Sequence, residues 1–142
     1  MTTRKPNWPK LLYRFIESKR RMPFAWASND CCLFTCDWLL ELTGIDPAAK
    51  LGLRGTYDSA LSAARVLTDH GGVEGIAAAF CHDQGWREIG PKYAQQGDPV
   101  TIRTANGITL AVCNGVFAVA PGPNGIAFFK MIETASRAWR VE

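Results

Sequence analysis

Two kinds of side chain here could carry covalent or proton-transfer chemistry near neutral pH: five cysteines and two histidines. Cys31, Cys32 and Cys36 follow directly on Asn29-Asp30, and Cys81-His82 form an adjacent pair. Asn29 or Asp30 can cap a helix beginning at Cys31, because a short carbonyl side chain accepts the free N–H groups of a first helical turn. A thiol in that turn feels those N–H groups and the positive end of the helix dipole, which favour its thiolate. Cys31 and Cys32 both lie there, but a helical step of about 100° sends them in different directions. Cys31 is the candidate nucleophile; Cys32 and Cys36 read as small core residues. His82 is the candidate general base, provided the fold brings it to Cys31. A zinc site can be drawn from Cys31 or Cys32 with Cys36, Cys81 and His82. It lacks the usual paired spacing and its adjacent ligands chelate poorly, so neither metal nor cofactor is expected.

The element that positions Cys31 reads as a buried helix to about Leu42. Only Asp37 and Glu41 are charged along it, and Thr43-Gly44 ends it. An amphipathic helix precedes it. Asn7-Trp8-Pro9 opens that helix, Leu11, Leu12, Phe15 and Ile16 form its apolar stripe, and Pro23 closes the element. Asp46 to Lys50 reads as a short turn. Asp58 caps a helix with Leu61, Ala64 and Leu67 on one face, ending at His70-Gly71-Gly72, where His70 suits a C-terminus. Val73 to Phe80 makes a further short helix. Beyond Trp86 the pattern becomes strand-like: Trp86–Ile89, Pro99–Arg103, Ile108–Cys113, Val116–Ala120 and Ile126–Phe129. Asn106-Gly107 and Asn114-Gly115 supply hairpin signals. Glu133 to Arg137 reads as one helical turn, and Ala138 to Val141 as a closing edge strand. Helices followed by a strand meander predict one α+β domain over residues 1–142, its N-terminal helices packed on a C-terminal antiparallel sheet of about five strands.

Composition bounds the rest. A hydrophobic content of 47% is that of an ordinary globular chain. No apolar run reaches the roughly 18 residues of a membrane span. The N-terminus lacks the apolar segment of a signal peptide, and an odd cysteine count clustered on one helix is a poor disulfide framework, so a reducing cytoplasm is expected. Net charge is +3, unevenly spread. Residues 1–21 hold seven basic groups and Glu17, for +6; the remainder sums to −3. No helix-turn-helix, zinc-finger or RNA-binding signature accompanies the basic end. An acidic protein surface, or solvent, is therefore favoured over nucleic acid.

Asp30-Cys31 before an apolar helix, with Phe24-Ala25-Trp26 upstream, resembles the nucleophile segment of the NlpC-type papain-like cell-wall peptidases. In that superfamily an aromatic-Trp-Gly stretch leads to Asp-Cys-Ser-Gly. The chain resembles more closely, over nearly its whole length, a family of small proteins of unknown function encoded among the tail genes of phages and prophages. The shared features are Asp30-Cys31-Cys32, Gly55-Thr56-Tyr57, Gly97-Asp98 and Ala138-Trp139-Arg140-Val141. The resemblance implies a papain-like fold. The peptidase histidine opens a strand after a Gly-Asp-x-Val strand. Gly97-Asp98-Pro99-Val100 matches the latter, and Thr109 falls at the histidine position. Thr109 cannot serve as a base near neutral pH. The next strand, Val116–Ala120, lacks the polar residue that would orient an imidazole.

The resemblance thus implies a retained frame without the machinery: a non-catalytic structural or assembly component of a phage tail tip or baseplate. Its partners would be other tail proteins, and its place the host cytoplasm during assembly and then the virion tail. The alternative is a cysteine peptidase or amidase acting on cell-wall peptides, with Cys31 as nucleophile and His82 as a displaced base. A DNA-associated packaging or regulatory role rests on the basic N-terminus alone. Trp8, Trp86 and Trp139, near expected element ends, are candidate interface anchors.

Overall fold

The computed structural model describes residues 2–142. Five helices come first: α1 (Trp8–Lys19), α2 (Cys31–Thr43), α3 (Pro47–Lys50), α4 (Ala60–Asp69) and α5 (Gly72–Asp83). Strands β1 (Glu88–Ile89), β2 (Pro99–Thr104), β3 (Gly107–Asn114), β4 (Phe117–Gly122) and β5 (Gly125–Lys130) follow, then the short α6 (Met131–Thr134) and β6 (Ala135–Trp139). The strands form one antiparallel sheet in the order β1-β6-β2-β3-β4-β5. No helix among the described residues is long and apolar enough to cross a membrane.

The α+β reading holds, with helices preceding an antiparallel sheet, but the sheet has six strands where about five were expected. The C-terminal strand, expected over Ala138–Val141 at an edge, starts earlier and sits inside the sheet. Glu133 to Arg137 read as helical, yet from Ala135 onward the chain is strand, and β6 lies between β1 and β2, not at an edge. Pairing with β2 overrides local preference: Val100 faces Ala138, Thr101 faces Arg137, and the Thr101 and Ser136 hydroxyls meet at 2.8 Å.

α2 is the central helix. Asp30 caps it, accepting the Leu33 N–H at 2.9 Å, and Gly44 ends it in a left-handed conformation (φ 85°) open to a residue without Cβ. Its side chains from Cys32 to Cys36, with Trp38, Leu39 and Leu42, are buried. They pack with Leu12, Phe15 and Ile16 of α1, Ile76, Ala77 and Phe80 of α5, and Leu110, Val112 and Val119 of the sheet. The opposite sheet face has its own apolar layer of Val100, Ile102, Ala111, Cys113, Ala118, Ala120 and Ala138. Ile89, Ala94, Phe129 and Met131 cover that layer.

Two expected caps differ. Asn7 precedes α1 but makes no side-chain cap bond; Pro9 in the first turn removes one of the donors such a cap would satisfy. Ser59, not Asp58, caps α4, through a reciprocal box with Ser62. On that helix Ala63 is buried and Leu67 packs on the core, while Leu61 is 65% exposed and Ala64 is exposed too, so only part of the expected face turns inward. Trp86 and Trp139 fill the core at 2% exposure and offer no interface anchor.

The two chain ends meet over a buried carboxylate. Asp98 is fully buried and accepts Arg4 Nη2 at 2.7 Å, Val141 N–H at 3.0 Å and Gln95 N–H at 2.8 Å. Arg4 also donates to the carbonyls of Val141 and Gln96 and lies over the Trp8 ring. Trp38 Nε1 of α2 donates to the Gly97 carbonyl at 2.9 Å. A side chain at position 97 would meet Arg4 Nη1 at 2.8 Å and the Trp38 ring at 3.3 Å, and φ there is 91°. Gly97-Asp98 and Trp139-Arg140-Val141 are thus two halves of one joint. Asp98→Ala is expected to lower stability by about 3–5 kcal/mol in urea unfolding, because it strands Arg4 and two N–H groups inside the protein.

Candidate functional site

Cys31 occupies the first position of α2, as its sequence context requires. The residue is half-buried, and its thiol faces inward toward β3 at Leu110. The surroundings do not favour a thiolate. Burial pushes the Cys31 thiol up to about 12; the backbone of Leu110 opposes this, while Cys32 and the Asp30 carboxylate add to it. Helix-dipole stabilisation, the basis for singling out Cys31, is outweighed by desolvation.

Asp30 is itself fully engaged. Its Oδ1 accepts Leu33 N–H, and its Oδ2 accepts Ala27 N–H at 3.0 Å and the Tyr57 hydroxyl at 2.7 Å. Tyr57 arrives from the chain after α3, which runs back along α2. On the way Arg54 pairs with Asp46 near the C-terminal end of α2 and with Asp37 farther up it. Burial, then the bond to Asp30, raises the Tyr57 hydroxyl far above its ordinary range, which keeps it a donor. Trp26 packs edge-on against Tyr57, and Phe24 against Trp26. Ala27, beside Trp26, has φ 69°, the left-handed region that an L side chain enters at a cost.

Neither histidine is placed to serve Cys31. His82 is exposed on the last turn of α5. There it lines a cavity of about 390 Å³ with Pro47, Lys50, Leu51 and Asp83. α3 follows the Gly44 end of α2, so His82 and Cys31 stand at opposite ends of a helix about 18 Å long. His70 caps α4, its Nδ1 2.9 Å from the Val66 carbonyl. Thr109 is turned away as well. Leu110 and Val112 point to the helices, whereas Ala111 and Cys113 belong to the opposite layer. Strand alternation puts Thr109 with Ala111, on the face away from α2. The side chain that β3 presents toward Cys31 is Leu110, whose apolar character was legible but whose direction was not.

The other thiols are buried. Cys32 is raised by its bond to Cys36 and by burial, and Cys81 and Cys113 by burial. Among the described residues no three His, Cys, Asp or Glu side chains are grouped to hold a metal ion. The roles of Tyr57 and Ala27 escaped sequence reasoning. Gly55-Thr56-Tyr57 stood out as a motif without a role. Nothing in the sequence pattern marked position 27.

Comparison with known families then places the chain. A family model described as a domain of unknown function, DUF6950, matches residues 3–141. The chain belongs to this family. No curated protein matches it. The matched span includes the Asp30–Tyr57 cluster and the Arg4–Asp98–Val141 joint, so both lie within the family domain.

Two outcomes follow. Ala27→Gly is expected to stabilise the protein by about 1 kcal/mol, read as a raised melting temperature, because glycine takes the left-handed conformation without a Cβ clash. Iodoacetamide labelling of Cys31, isolated by subtracting the Cys31→Ser protein, is expected to accelerate steadily with pH up to at least about pH 10. The thiolate fraction near pH 7 would be only on the order of one in 100,000. A plateau near neutrality would contradict this environment.

Proposed function

We propose that this chain is a papain-like domain that keeps the frame of the cell-wall peptidases without their proton-transfer partners. We propose further that it serves as a structural or assembly component of a phage tail tip or baseplate. The frame reading is supported by a cysteine at the start of a buried helix abutting an antiparallel strand, in a chain whose Gly97-Asp98 leads into the preceding strand. The loss of chemistry is supported above all by what faces that cysteine: Leu110 on β3 and the Asp30 carboxylate, with no imidazole. Thiol hydrolysis needs a base to take the thiol proton and a cation to hold the thiolate. A neighbouring carboxylate works against the second requirement.

The tail assignment draws on the resemblance of Asp30-Cys31-Cys32, Gly55-Thr56-Tyr57 and Ala138-Trp139-Arg140-Val141 to proteins encoded among tail genes. The cysteine-peptidase alternative requires His82 to cross the length of α2, and the geometry disfavours it.

Purified protein and its Cys31→Ala variant are expected to release no new amino groups from cell-wall fragments. Cys31-dependent release would replace the proposal with the peptidase. Mass spectrometry of purified virions, with cross-linking during assembly, is expected to find the chain beside tail proteins. Its absence from both would remove the tail assignment.

A further inference from the structure

We infer that the outward face of α1, continued through the Arg21–Trp26 loop, docks an acidic protein partner; this rests on the assembly reading above. Seven basic groups lie in residues 1–21, but the fold consumes three of them. Arg4 is bound to buried Asp98, Lys19 reaches Asp37 of α2, and Arg20 pairs with Glu17. Of the four left, Lys5 lies by Gly44 at the end of α2, and Lys10, Arg14 and Arg21 are exposed and take part in no ion pair among the described residues. Lys10, Arg14 and Glu17 fall at helical spacing on the face of α1 opposite Leu12, Phe15 and Ile16, and Arg21 follows in the turn just past the helix end. Large apolar side chains are exposed on α1 and in the loop that follows it: Tyr13 is 67%, Met22 42% and Trp26 40% exposed. Tyr, Trp, Met and Arg are the residue types that protein interfaces concentrate.

The loop carrying the exposed tryptophan is built, not slack. Asn29, itself buried, donates from Nδ2 to the Met22 and Pro23 carbonyls, and Ala25 and Asn29 exchange backbone bonds. Asp30 takes the Ala27 N–H, and Phe24 N–H bonds to the Gly122 carbonyl of β4. Ala27 is kept in a left-handed conformation. A buried asparagine, a buried aspartate and a strained alanine together hold the loop whose Trp26 packs on Phe24 and Tyr57 and leaves two-fifths of its surface exposed. A surface prepared this way loses little freedom on binding. The unpaired charge on it is positive, which fits an acidic partner. A nucleic acid fits less well: three phosphate-binding charges with Glu17 among them make a weak electrostatic site.

The test uses the full chain and three probes: a synthetic amphipathic peptide alternating Glu with Leu and Phe, a short DNA duplex, and vesicles rich in anionic lipid. The peptide is expected to shift the Trp26 indole N–H resonance and the α1 amides. Its binding should weaken at least about ten-fold as NaCl rises from roughly 50 to 300 mM. Joint reversal of Lys10, Arg14 and Arg21 to Glu should cost a similar factor. Trp26→Ala, with its melting temperature unchanged, should weaken binding several-fold. No saturable peptide binding, indifference to charge reversal, or tighter binding of DNA or vesicles would each overturn the surface. Virion analysis separates the two proposals. Charge-reversed protein incorporated like wild type would remove the surface and keep the tail assignment. Salt-sensitive peptide binding by a protein absent from tails would do the reverse.

Discussion

The fold depends on one buried charge. Asp98 lies at the entry to β2, fully enclosed, and holds together three segments far apart in the chain: the N-terminal Arg4, the Gln95–Gly97 turn and Val141 at the other end. Burial pushes its carboxyl above the usual range, against the pull of two N–H groups and the Arg4 guanidinium. The donors therefore offset only part of the desolvation cost. Removing any one donor would leave the carboxylate and the others buried without that partner. The site determines where both termini go. Arg4 N–H bonds to the Glu142 carbonyl, and Trp86 Nε1 bonds to the Thr2 carbonyl. With its end held there, β6 pairs inside the sheet.

A second carboxylate does comparable work at the other end of α2. In a cysteine hydrolase the start of the helix is where positive potential is spent on a thiolate. Here the first-turn N–H of Leu33 is given to Asp30, whose second oxygen collects Ala27 and Tyr57. The helix start is used to organise a loop that displays Trp26. Cys31 is left beside a negative charge and an apolar strand. The same residues that suggest a nucleophile thus describe a rigid rim, and the chemistry depends on which groups stand opposite.

Much of this was readable in the sequence. Asp30 and Gly44 bracket α2 because capping and left-handed termination are local properties of short polar side chains and of glycine. The order of helices before hairpins gave the α+β class for the same reason, since apolar periodicity and turn residues act over a few positions. The uneven charge of residues 1–21 was also plain, as was the lack of a histidine on the matched strand.

What the sequence left open was set by contacts between distant segments. Local preference made Glu133 to Arg137 helical until β2 offered a partner. Thr109 seemed to occupy a catalytic position until strand pairing fixed which face it takes, since side chains alternate and one step reverses the direction. His82 could be drawn next to Cys31 in one dimension; packing of α5 beside α3 put the length of α2 between them. Which of the basic groups remain unpaired was decided by Asp98, Asp37 and Glu17, only the last of which is near in sequence. Sequence determines what each turn of chain prefers. Burial and opposing charge, which exist only once the chain has closed on itself, decided what Cys31 and the N-terminal cations can do.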